Sequence, residues 1–222
     1  GDMGYASAPP EAVLQEEADM VEVSDYGFRI DRFEVTNASF AIFLNSRGNR
    51  VEDGVQWLLD EEDGDALIEL GDGVYRARSG FADHPVIEVS WHGARRFCEW
   101  RGSVLPTALQ WEQAASGSQG TALLTGNFYH EEGDGYGRTA PVGRFPQGAG
   151  PYGSLDMAGN VWEWVAEADG TRRLILGGSW FNDAAALRRD WLDAAHPNEF
   201  TGFRCATPSS SRSPTDSLRA QR

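Results

Sequence analysis

Sulfur and imidazole are scarce in this sequence. Its 222 residues include two cysteines, Cys98 and Cys205, and four histidines, His84, His92, His130 and His196. None of them falls into an H-E-x-x-H helix or a paired Cys/His spacing, which argues against zinc hydrolases and zinc-finger modules. No G-x-S-x-G elbow, P-loop or dinucleotide fingerprint occurs either, so serine hydrolysis and nucleotide chemistry start from poor odds. No apolar run reaches the roughly 18 residues that a spanning helix needs, and residues 1–20 lack the basic and apolar regions of a secretory leader, so membrane insertion is not expected. Basic residues are outnumbered, 19 against 34 acidic, for a formal net charge of −15. Such a field repels phosphate backbones and anionic lipid, making nucleic acid and membrane surfaces poor partners for this acidic protein. There is no Pro/Gly/Ser linker and no internal repeat, so one domain is expected.

What is present is large rings and turns. Eight Trp and 26 Gly suit short strands, tight turns and bulky core rings rather than a helical bundle, and the expected class is a loop-rich α+β fold. Residues 1–20 read as an N-terminal arm, 21–206 as the domain, and 207–222 as a Ser/Pro/Arg tail. Cys98 and Cys205 are either two buried thiols or a disulfide. As a crosslink it would close a loop of about 107 residues and stabilise by roughly 4 to 5 kcal/mol in the chain-entropy model. A disulfide favours an extracytoplasmic, oxidising compartment.

Local signals place the elements. Val21, Val23, Phe28, Ile30, Phe33 and Val35 alternate with polar residues as paired strands do. Thr36 is placed to cap a helix that carries Phe40, Phe43 and Leu44 on one face and stops at Gly48. Gly71-Asp72-Gly73 lies between two strand-like runs and predicts a hairpin. A second helix is expected from Ser90 through Ala94, Phe97 and Cys98 to Gly102. A third starts at Thr107, where Gln110 completes a capping box. Beyond residue 116 the chain becomes a long Gly-rich loop, a kind of segment that carries function or a bound ion. Strands return at 173–180 and 202–206.

Six stretches, in order, resemble the blocks of the formylglycine-generating enzyme or sulfatase-modifying factor family. They are FRIDRFEVTNASFAIFLNSRGN (28–49), HPVIEVSWHGARRFCEWRG (84–102), LPTALQWEQAA (105–115), DMAGNVWEW (156–164), GGSW (177–180) and GFRCA (202–206). The resemblance implies a C-type-lectin-like fold of short helices on twisted antiparallel strands. It also implies a disulfide between Cys98 and Cys205. The family's copper-binding cysteine pair falls at positions that here hold Asn182 and Leu187. Cu(I) selects thiolates, which an amide and an isobutyl group do not offer, so no copper and no genuine formylglycine generation are expected.

The resemblance further implies two structural calcium sites. One draws on the side chains of Asn127 and Asp134 with the carbonyls of Phe128 and Tyr136. The other uses Asp156 and Glu163 with the carbonyls of Gly159 and Val161. The donor chemistry suits calcium, which takes six to eight oxygens from carboxylates, amides and carbonyls in loops. The competing reading is ordinary turns at Asp134-Gly135 and Gly159-Asn160.

Other candidates are weaker. His130, Glu131 and Glu132 with His196 match a two-His-one-carboxylate iron site only loosely, and exposed loop histidines explain them as well. The run Asp60-Glu61-Glu62-Asp63 with Asp65 misses the EF-hand register and reads as a solvated loop. The remaining binding candidate is Ser179, Asn182, Arg188, Arg189 and Trp191, the segment that the resemblance places toward a substrate groove. There, Arg and aromatic side chains suit an anionic group or peptide carboxylate. Trp180 and Trp191 read equally well as core. The leading expectation is a non-catalytic or accessory domain that binds a peptide, protein or other ligand. An oxidase or oxygenase of the same fold without the copper-cysteine mechanism is the alternative, and a retroelement-diversified display protein on this scaffold a third.

Overall fold

The computed structural model describes residues 19–59, 65–117, 125–128, 135–182, 189–194 and 196–207. Residues 1–18 of the expected arm, 208–222 of the tail, the acidic run 60–63, and His130, Glu131 and Glu132 lie outside the described residues.

The period-2 pattern near the start forms β1 (Met20–Val23) antiparallel to β2 (Phe28–Asp31). Helix α1 (Asn37–Arg47) begins where Thr36 Oγ1 accepts from the Ser39 amide and ends where the Gly48 amide donates to the Leu44 carbonyl. Gly48 has a φ of 75° there, a conformation that glycine adopts at little cost. Two small hairpins follow: β3 (Val51–Glu52) with β4 (Val55–Gln56), and β5 (Ile68–Gly71) with β6 (Val74–Ala77). In the second, the positive φ values fall on Asp72 and Gly73, the two residues between the strands.

Helix α2 (Trp91–Trp100) is capped by Ser90, whose Oγ accepts from the Gly93 amide. It lies so close to the preceding chain that a Cβ on Gly93 would stand 2.3 Å from the Trp57 carbonyl oxygen. Helix α3 (Ala108–Ser116) has the reciprocal capping box of Thr107 and Gln110. The main sheet has the order β10-β7-β8-β9, built from β7 (Trp162–Asp169), β8 (Arg172–Leu176), β9 (Arg189–Asp193) and β10 (Thr201–Gly202). Only the β10-β7 pair is parallel; the other pairs in that sheet are antiparallel.

Two apolar clusters pack on this sheet. One joins α1 and α2 through Phe40, Phe43, Phe97, Phe203 and Trp164. The other joins α3 to β1 and β2 through Trp111, Phe28, Ile30 and Met157. Within the first cluster Cys98 and Cys205 form a disulfide with Cα atoms 5.6 Å apart, tying α2 to the chain beyond β10. Few short helices and several small sheets make this the expected α+β, lectin-like arrangement.

Three strand expectations need correction. β8 stops at Leu176, because Gly177 and Gly178 take φ values of 102° and 82° that leave the sheet. The strand expected at 202–206 is regular only at Thr201–Gly202; beyond it Ala206 makes isolated bridges to Ile30 and Val104. β7 and β9 run through segments that the sequence reading treated as ion loop and binding surface.

Candidate functional site

A buried polar cluster forms where β7, α3 and the post-β10 chain meet. Glu163 projects from β7 and is fully buried, as is Arg204. Arg204 Nη2 donates to Glu163 Oε1 at 2.7 Å and Arg204 Nε to Glu163 Oε2 at 2.7 Å. Its other donors reach the carbonyls of Asp31, Arg32 and Leu155. Trp111 Nε1 donates the carboxylate's third bond, to Oε2 at 2.8 Å. A guanidinium with this many fixed acceptors is fully satisfied, which is the condition under which a buried charge is tolerated.

Two more acids approach the same place. Asp156 is buried, with a φ of 56°, and accepts from the Gly143 amide at 2.5 Å. Glu34 is buried and accepts from Asn160 Nδ2 at 3.1 Å. Burial, reinforced by the nearby Asp156 and Glu163 charges, pushes the Glu34 carboxyl well above the usual carboxylate range. Burial pushes Asp156 up as well, with the Gly143 amide and Arg204 opposing it. Three carboxyls against one guanidinium leave an excess of negative charge that a proton or a cation must offset.

That excess bears on the calcium expectation. Asp156 Oδ1, Glu34 Oε2 and Asn127 Oδ1 are enclosed and have no fixed donor among the described residues, although a proton on Glu34 would bridge its carboxyl to Asp156. Orphaned buried oxygens are costly unless something binds them. Glu163 Oε1 accepts one bond and keeps a lone pair, whereas Oε2 accepts two. Asp156 and Glu163 in the second expected set, and Asn127 in the first, therefore suit a hard cation. Gly159 has a φ of 79° and stands against the Asn127 carbonyl, so the two expected sets adjoin. Val161 and Phe128 are buried beside them, Tyr136 is described, and Asp134 lies outside the described residues. Among the described residues no cluster of three or more His, Cys, Asp or Glu is arranged as a metal site. Any ion here would thus rely on amide and carbonyl oxygens as well.

The expected binding segment divides into two parts. After Gly177-Gly178 the chain closes a tight turn in which Asn182 Oδ1 accepts from the Ser179 amide at 2.8 Å and from Ser179 Oγ at 3.0 Å. Ser179 is buried. Beside this turn Trp180, Phe181 and Phe200 form a contiguous aromatic group, their centroids 5.2 to 5.7 Å apart. Phe181 is 54% exposed. Arg138 stacks on Trp180 and pairs with Asp65 and Glu199. The second part is on β9, where Arg189 pairs with Glu112 of α3 at 2.6 Å and Trp191 is partly exposed beside the Arg172 guanidinium. Arg189 is thus already matched to a carboxylate, and Arg188 and Leu187 lie outside the described residues. The sequence reading left Glu34, Asn160 and Arg204 without roles; a lone Glu in the apolar alternation of 28–35 was the available signal.

Comparison with known proteins agrees with this architecture. The family described as the Sulfatase-modifying factor enzyme 1-like domain matches residues 2–208. The Bos taurus protein named Inactive C-alpha-formylglycine-generating enzyme 2 is 32% identical, over 84% of this chain and 79% of its own length. Serine/threonine-protein kinase pkn1 of Chlamydia caviae is 30% identical over 83% of this chain, which spans only 34% of that protein. Hercynine oxygenase of Mycobacterium tuberculosis is 29% identical, over 92% of this chain and 58% of its own length. Among solved structures, PvdO from Pseudomonas aeruginosa superposes with a TM-score of 0.60 at 19% identity, covering 81% of this chain and 79% of PvdO. Treponema denticola variable protein 1 gives 0.56 at 18% identity, covering 85% of this chain and 91% of that one. At those identities the two structures speak for the fold alone.

Proposed function

Because the chain belongs to the sulfatase-modifying factor enzyme 1-like family, we propose that it is a ligand-binding member of that family that does not generate formylglycine. One observation carries the reading: both cysteines of the sequence are joined to each other. A copper-thiolate mechanism needs sulfur donors at the positions of Asn182 and Leu187. The Asn182 side chain instead closes the turn onto Ser179.

The ligand is a peptide or protein segment that lays an apolar side chain on the Trp180, Phe181 and Phe200 rings. Exposed, clustered aromatics are the usual anchors of compact recognition sites. Ser179 and Asn182 shape the turn that presents these rings, and Trp191 on β9 offers a second aromatic surface. Arg188 belongs to the same reading from sequence position alone, and Arg189 contributes by holding β9 to α3. Calcium at Asp156 and Asn127 would be structural, fixing the loops that carry the aromatic group. The disulfide suits an extracytoplasmic setting.

Selection of displayed peptides on the purified chain tests this reading. Peptides enriched on the wild type and lost with Phe181→Ser support it, whereas peptides that tolerate that change contradict it. A second reading, an oxygenase without copper-cysteine chemistry, draws on the hercynine oxygenase relative. Stoichiometric iron in the purified protein would favour that reading; calcium alone would favour binding.

A further inference from the structure

At the C-terminal ends of α1 and α2 there is an open cavity of about 610 Å³, within the size range of small-molecule sites. It involves none of the Ser179–Trp191 candidates and is built on different elements. Its floor is aromatic: Phe43 stacks on Trp57 with centroids 5.2 Å apart and meets Trp100 at 5.4 Å. The indole N–H groups of Trp57 and Trp100 are enclosed and have no acceptor among the described residues.

The wall is cationic. Arg96, in the wall, and Arg95, behind it, each pair with both Glu52 and Glu99 of the lining, so these two cations and two anions balance. Arg47 and Arg50 also line the cavity and have no carboxylate partner among the described residues. Arg50 Nε donates to the Arg47 carbonyl, and its guanidinium sits 5.9 Å from the Trp57 ring centre. Two positive charges therefore remain over a ring floor, in a chain whose net charge is −15. The sequence contains no lysine, so every side-chain ammonium that could make a point contact is replaced by a planar fork suited to carboxylate.

We infer that this cavity binds a carboxylate attached to a planar apolar body. Arg47 and Arg50 take the carboxylate, while the rings of Phe43, Trp57 and Trp100 take the body. Such a ligand is either a free aryl-alkyl acid or the C-terminal carboxylate of a peptide ending in an aromatic residue.

Titration calorimetry on the full chain tests the assignment with four probes. These are 3-phenylpropionate, its neutral analogue 3-phenylpropanol, a short peptide ending in Trp with a free carboxylate, and the same peptide as its C-terminal amide. One or both carboxylates should bind, and each neutral partner at least about tenfold more weakly; whichever acid is tighter identifies the source. The Arg47→Gln, Arg50→Gln double variant, changed only at surface positions, should weaken binding by about tenfold or more. In ¹⁵N spectra the indole signals of Trp57 and Trp100 should shift on binding, and Trp57→Phe should remove one shift and weaken the complex. Absence of binding by both acids at millimolar concentration overturns the inference. So does equal binding of acid and neutral analogue, or affinity indifferent to the double variant in a protein whose circular dichroism is unchanged.

Discussion

Arg204 grips the Glu163 carboxylate with two hydrogen bonds of 2.7 Å, both side chains fully buried and 41 residues apart in sequence. The pair joins β7 to the chain after β10, and its acid, Glu163, is also one of the residues expected to hold calcium. Breaking it strands a charge inside the protein. Glu163→Gln should destabilise the fold by about 3–5 kcal/mol, the usual effect of removing one partner of a buried pair. Urea unfolding will measure this, and Glu163→Gln with Arg204→Met should cost less than the two single changes summed.

The disulfide closes a separation of 107 residues. Replacing Cys98 and Cys205 together by alanine should lower stability by roughly 4 to 5 kcal/mol in the chain-entropy model. Unfolding of the oxidised and doubly substituted proteins under the same conditions provides the comparison. A difference below about 1 kcal/mol would mean that the crosslink does little for the fold.

Two buried histidines give the fold a dependence on pH. His84 is held in its neutral form chiefly by burial, against the pull of Asp83 and Thr139. His92 is likewise depressed by burial, although Glu52 and Asp53 stand 3.7 and 3.8 Å from its ring nitrogens. Both folded values lie below the ordinary 6.5, so the unfolded chain binds more protons in that window. Their contribution to stability is therefore complete above about pH 6.5 and is lost as pH drops through the folded values. The raised carboxyls of Glu34 and Asp156 act with the opposite sign as pH drops, so the histidine part is read by difference: in thermal melts from pH 7.5 to 5 the wild type should lose more stability than the protein carrying His84→Gln and His92→Gln.

Calcium should act through the orphaned oxygens of Asp156 and Asn127. Protein stripped with EDTA should regain stability on calcium addition, by about 2.7 kcal/mol at a hundred times the dissociation constant. Asp156→Asn should greatly reduce that gain. A melting temperature indifferent to calcium would dismiss the structural-ion reading.

Local chemistry was legible in the sequence where a few neighbouring atoms decide the outcome. Thr36, Ser90 and Thr107 cap their helices as read, because a hydroxyl three residues from an unpaired amide needs no distant partner. The β1-β2 pair followed from alternation. The end of β8 did not, since the backbone at Gly177 answers to Trp111 of α3, whose ring would stand 3.2 Å from an added Cβ. Glu163 was read as an ion ligand from its block, but its principal partner, Arg204, comes from a block 41 residues later. Arg189 read as a free cation until α3 brought Glu112 against it. Long-range pairings of this kind leave no periodicity to read.

With both cysteines joined to each other, the chain has no thiolate left to hold copper. Purified chain loaded with copper and incubated in air with a cysteine-bearing sulfatase-type peptide should leave that cysteine unchanged by mass spectrometry. Conversion of the peptide cysteine to its aldehyde, dependent on copper and protein, would contradict the account.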